Sequence, residues 1–141
     1  LLNLADVVPA RRLFALSAIA GATTNALVLT VDGLAGALVW RFLTGVCLAG
    51  VYPPAMKMIV TWFRARRGLA VGTIVGALTV GKATPYLVHA IPGAGIVPVT
   101  LVASAGALLA AALVWRGYVD GPYPFPPRPF EWGLVGRIVR E

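Results

Sequence analysis

The sequence predicts an all-α fold, a polytopic bundle of transmembrane helices, and three observations predict it. Of the 141 residues, 59% are apolar and 12% charged, with a mean hydropathy of +0.85, too little polar surface to cover a soluble globule of this size. Four stretches are each long and apolar enough to cross a hydrocarbon core of roughly 30 Å, which takes about twenty residues of helix. The basic residues collect in alternate connections between those stretches, as they do in the cytoplasmic loops of membrane proteins.

Residues 1–12 read as a cytoplasmic turn that ends in Arg11-Arg12. Leu1 in first position, with no charged leader before a cleavable apolar stretch, gives the expectation of a sequence that begins inside a longer protein. The first span, 13–31, closes at Asp32-Gly33. The second, 34–61, is about 28 residues or roughly 42 Å long at helical rise, so it must tilt, kink or project. Pro53-Pro54 predicts the kink, because proline removes a backbone donor and clashes with the preceding turn. The basic segment Trp62 to Gly68 follows, then a third span at 69–88, the turn His89 to Gly95, and a fourth span at 96–115. Such short connections predict antiparallel neighbours. Trp40, Trp62, Phe63 and Trp115 lie near span ends, where interfacial aromatics anchor. Residues 116–141 read as a proline-rich cytoplasmic linker of extended character. Within it, 131–141 fits either a short amphipathic helix at the inner membrane surface or an irregular end.

Arg11 and Arg12, then Arg64, Arg66 and Arg67, then Arg116 alternate with two turns that carry no Lys or Arg, which predicts both ends of the sequence on the cytoplasmic side. The net charge of +7 is spread through these turns and forms no stripe with aromatic partners, so nucleic acid is not an expected partner; the bilayer is. Cys47, the one cysteine, can form no intrachain disulfide. No metal-ligand spacing, phosphate-cradling loop or Ser/His/Asp set stands out, so no cofactor, metal or enzymatic chemistry is expected.

Three basic side chains fall inside the spans. Lys57 is close enough to Trp62 to snorkel to the inner interface. Arg41 and Lys82 each lie about seven residues, roughly 10 Å, inside the outer end of their spans. An intramembrane cation is costly unless it meets water, a counter-charge or carbonyls, which makes this pair the leading candidates for a solute or coupling pathway. Snorkelling of Lys82 and carbonyl bonding of Arg41 are the structural alternative. Asn25, Thr23, Thr24, Thr44 and Tyr52 either bond across helices or line that pathway, with Asn25 and Tyr52 kept as pathway candidates. His89 reads as an interfacial residue, with a proton relay the lesser alternative. Gly68, Gly72 and Gly76 form a double GxxxG that puts three glycines on one helix face for close packing. The fourth span, rich in alanine, reads as a peripheral support facing lipid.

Leu2-Asn-Leu-Ala-Asp6-Val-Val-Pro-Ala-Arg11-Arg12 resembles the turn between the second and third helices of the major facilitator superfamily, with Leu2 where glycine is usual and a longer interval to the arginine pair. Arg41-Phe-Leu-Thr-Gly45 is similar to the arginine-to-glycine motif of that family's fourth helix, and the run from Arg41 to Pro85 looks like the fourth and fifth helices of prokaryotic members. The resemblance implies the end of helix two, helices three to six and the start of the linker between two six-helix halves. It implies a gating role for Asp6, Arg11 and Arg12, proton coupling near Arg41, close packing at Gly45, and a prokaryotic inner membrane. Its partners would be the remaining helices of the full-length transporter, a small solute and, as an open option, protons. The function expected is transport by alternating access, with an organic anion among the open options for the solute. A non-transporting membrane scaffold or assembly subunit is the alternative, and a membrane-embedded enzyme a more distant one.

Overall fold

The computed structural model describes residues 8–93 and 95–123, and among them it is all-helical, with no strand. The helices are α1 (Ala10–Leu27), continued by a turn of 3-10 helix (Val28–Thr30), α2 (Leu34–Ala49), α3 (Tyr52–Val60), α4 (Arg67–His89) and α5 (Ile96–Gly117). By length and composition four segments can cross a membrane: Ala10–Thr30, Leu34–Val60, Arg67–His89 and Ile96–Gly117. The first begins at Ala10 rather than Leu13, so Arg11 and Arg12 lie in the first turn of a helix and not before it.

The second span breaks outright into two helices. Pro53 and Pro54 have no N–H to offer the carbonyls of the preceding turn, so the α-pattern cannot run through them. The chain tightens instead: Gly50 N–H donates to the Cys47 carbonyl at 3.1 Å and Val51 N–H to the Leu48 carbonyl at 3.0 Å, before Ala55 N–H resumes the helical pattern on Val51 at 3.1 Å. The prolines sit in the first turn of α3, where a missing donor does no harm. Glycine at 50 leaves room for α1, because a Cβ there would meet the Ser17 hydroxyl and come within 3.0 Å of the Ser17 Cβ, so that Ser17 would have to turn or shift. At the start of α4, Arg66 takes a left-handed conformation, φ 60°, and turns the chain back into the membrane.

The packing centres on α1. Its buried residues, Phe14, Ala15, Ala18, Gly21, Ala22 and Asn25, recur at helical spacing and form one stripe. That stripe meets Thr100, Ser104 and Ala111 of α5 most extensively, and then α2 and α3. Small side chains let the two backbones approach, which matters because apolar burial offers little preference for a neighbouring helix over lipid. The sequence reads the fourth span as a peripheral support facing lipid; one face of α5 forms the main contact with α1, and most of its other residues are exposed. The faces of α4 are exposed apart from Ala70 and a few half-buried residues.

Candidate functional site

Arg41 lies on the second turn of α2, and its Nη1 donates to Oδ1 of Asn25 on α1 at 2.8 Å. The other end of the same amide donates through Nδ2 to Ser104 Oγ at 2.9 Å and to the Thr100 carbonyl at 3.2 Å, both on α5. Asn25 is 9% exposed, so leaving its amide unpaired there would be costly, and these bonds join three helices at one side chain. The chemistry of the partners dictates which way the amide points. A guanidinium can only donate and a backbone carbonyl can only accept, so Oδ1 must face Arg41 and Nδ2 must face Thr100.

One turn further along α2, the Thr44 hydroxyl lies 2.8 Å from the Trp40 carbonyl and 3.1 Å from Thr24 Oγ1 of α1. Several other span threonines satisfy their hydroxyls within their own helix, as Thr23 does on the Ile19 carbonyl at 2.9 Å and Thr79 on Val75 at 3.0 Å. No carboxylate pairs with Arg41 among the described residues. The described acidic residues, Asp32 and Asp120, lie in connections outside the spans.

A second polar cluster closes the opposite end of the molecule. The chain leaving α5 folds back onto the end of α3, where Gly121 N–H donates to Thr61 Oγ1 at 3.1 Å and Tyr123 N–H to the Thr61 carbonyl at 3.0 Å. The Thr61 hydroxyl itself donates to the Met58 carbonyl at 2.7 Å. Tyr118 places its hydroxyl 3.4 Å from Thr61 Oγ1 and donates to Asp120 Oδ1 at 3.1 Å. Arg11 Nη1 reaches the Tyr118 carbonyl at 3.5 Å, tying in the start of α1. Gly121 has to be glycine, since a Cβ would collide with the Thr61 carbonyl. Burial pushes the Tyr118 phenol up from its ordinary value; the Thr61 hydrogen bond acts the other way, and the bond to Asp120 and its negative charge add to the rise.

The family model for the Major Facilitator Superfamily matches residues 3–140, nearly the whole sequence. The chain belongs to the major facilitator superfamily. Comparison with curated proteins gives no match, and neither does comparison with solved structures.

In this superfamily member the residues expected from sequence are distributed unevenly. Arg41 and Asn25 come together. Lys82, exposed on α4, forms no hydrogen bond or ion pair among the described residues, and α4 packs on α3 and α5, so the structure does not bring it to Arg41. Tyr52 is the first residue of α3, exposed beside the helix break. No neighbouring element reaches the space a Cβ would occupy at Gly45, Gly68, Gly72 or Gly76. Arg12 is exposed, and Asp6 lies outside the described residues, as does nearly all of the 116–141 linker with its 131–141 segment. Ser104, Thr61, Tyr118 and Gly121 carry the polar clusters without having stood out in the sequence. Thr100 and Ser104, four residues apart as the hydroxyl side chains of an otherwise apolar span, were the signal that α5 has a polar stripe facing another helix.

Proposed function

We propose that the chain is part of a secondary transporter, not an enzyme, that moves a small solute by alternating access, two helical bundles rocking about a site near the bilayer midplane. The observation that carries this reading is Arg41, a cation inside a span whose described partner is a neutral amide. Such a charge costs several kcal/mol unless it meets water or a counter-charge, and an amide does not cancel it. Arg41 then serves either to attract an organic anion or to pair with a carboxylate on another helix whose protonation sets the access state. Lys82 is the second cation of the pathway and Tyr52 a polar group along it, while Asp6, Arg11 and Arg12 form the gating turn. Gly45, Gly68, Gly72 and Gly76 pack against helices of the rest of the transporter. The clustering of Arg11, Tyr118 and Thr61 at one end, with the basic loop beside them, supports a cytoplasmic face there, and the resemblance to prokaryotic members suggests their inner membrane as the location.

The test is uptake by proteoliposomes containing the full-length protein, screened over organic anions and cations with and without an imposed pH gradient. Accumulation of an anion that Arg41→Gln abolishes and Lys82→Gln weakens is the expected result. A folded protein that accumulates none of them would turn the reading to a membrane scaffold.

A further inference from the structure

We infer that Asn25 is a positioning residue: it aims Arg41 without cancelling its charge, and the α5 groups Ser104 and Thr100 fix the direction in which its amide points. The functional half of this rests on the transport reading above; the geometric half does not. The guanidinium has five N–H donors in a fixed plane, and an acceptor on one of them sets where the others face. Asn25 Oδ1 is such an acceptor at 2.8 Å, and it is uncharged. A carboxylate of the same shape at that position would hold Arg41 in the same place but neutralise it, removing what an anion would recognise. The amide nitrogen makes the choice of asparagine specific. Nδ2 donates to the Thr100 carbonyl at 3.2 Å, a bond that an ionised carboxylate would turn into the approach of two acceptors. Ser104 Oγ, at 2.9 Å, takes up the same nitrogen, so both amide hydrogens point at α5 and the oxygen is left for Arg41. The site therefore spans α1, α2 and α5, with α5 acting on Arg41 through Asn25.

The experiment has two arms on the full-length protein. The first needs no solute: phenylglyoxal modification of Arg41 in the reconstituted protein, followed by mass spectrometry of the peptide that contains it. Asn25→Asp is expected to slow modification about tenfold, the worth of one charge-assisted bond, while Ser104→Ala changes the rate and Ser104→Thr restores it. Unchanged rates in Asn25→Asp and Ser104→Ala would overturn the assignment, whatever the transport result. The second arm measures uptake of labelled benzenesulfonate and methanesulfonate as probe anions, which stay ionised through the carboxylate range. Asn25→Asp should raise KM about tenfold at neutral pH and recover as pH falls through the carboxylate range, because the protonated acid regains a donor and an uncharged acceptor. A KM that stays at the wild-type value across that range would overturn the charge-sparing role. If wild-type protein takes up neither anion, that counts against the transport reading and leaves the modification arm to decide the positioning role.

Discussion

Thr61→Val should release the strap that follows α5. The substitution keeps the side-chain shape and removes a hydroxyl that donates to the Met58 carbonyl at 2.7 Å and accepts from Gly121 N–H at 3.1 Å. Tyr118 loses little, since its hydroxyl keeps Asp120 at 3.1 Å and Met58 at 3.4 Å. Gly121 is buried, so its N–H is stranded, at a cost of about 1–3 kcal/mol. Taking about 2 kcal/mol, the open state of the strap becomes roughly thirtyfold more populated. The readout is amide hydrogen exchange at Gly121 and Tyr123 in the micelle-solubilised full-length protein, where local opening sets the rate. Both amides should exchange about thirtyfold faster in Thr61→Val and near the wild-type rate in Thr61→Ser. Exchange in Thr61→Val that stays at the wild-type rate would show that the hydroxyl does not hold the strap.

Gly50→Ala forces a methyl onto Ser17 Oγ and should lower stability by about 1–3 kcal/mol in a mixed-micelle unfolding assay; adding Ser17→Ala recovers part of the loss, because the Ser17 Cβ remains 3.0 Å from the new carbon. Thr100→Val should be neutral or stabilising in that assay, because the Thr100 hydroxyl is buried without a hydrogen bond among the described residues, and it is the backbone carbonyl that serves Asn25. The Tyr118 phenol has its pKa raised above 10.0, so the neutral form is favoured in the folded state. Its contribution to stability is therefore complete below 10.0 and is lost as pH rises through the raised value. A phenolate absorbance titration should contain one late-titrating tyrosine that Tyr118→Phe removes.

The spans were legible because lipid imposes a condition visible in one dimension: a run of apolar residues long enough to cross it. Arg41 was legible for the same reason, as a charge interrupting such a run. Asn25 was visible as a polar residue, but its partners on α5 lie 75 and 79 residues away, and sequence spacing holds no record of that. The alanine-rich composition of α5 did not show which face meets α1, since small residues suit both a lipid-facing helix and one that approaches a neighbour closely. The proline pair announced a bend but not its severity. That followed from having two consecutive missing donors, which strand two carbonyls where one proline strands one. The Tyr118 to Tyr123 strap was read as part of a linker because the prolines of residues 116–141 exclude helix and sheet. They do not exclude isolated backbone bonds, and Thr61 supplies two acceptors for them.

The placing of polar bonds separates α4 from the rest. In a bilayer, apolar contact alone distinguishes poorly between a helix neighbour and lipid, so helices are kept together by close packing and by bonds between polar groups. Asn25 ties α1 to α2 and α5 near one end of the bundle, and the Thr61, Tyr118 and Arg11 cluster ties α3, α5 and α1 at the other end. From Gly68 to His89, the side-chain bonds of α4 among the described residues all return to its own backbone, as at Thr73, Thr79 and Thr84. A helix that moves must break whatever bonds hold it, and each neutral interhelical bond in a membrane costs about 0.6 kcal/mol to break. Over that length α4 has none to break among the described residues, and its glycine face at Gly68, Gly72 and Gly76 presents a smooth backbone surface. Among the described helices, the stretch of α4 from Gly68 to His89 is therefore the one held least by side-chain bonds to its neighbours.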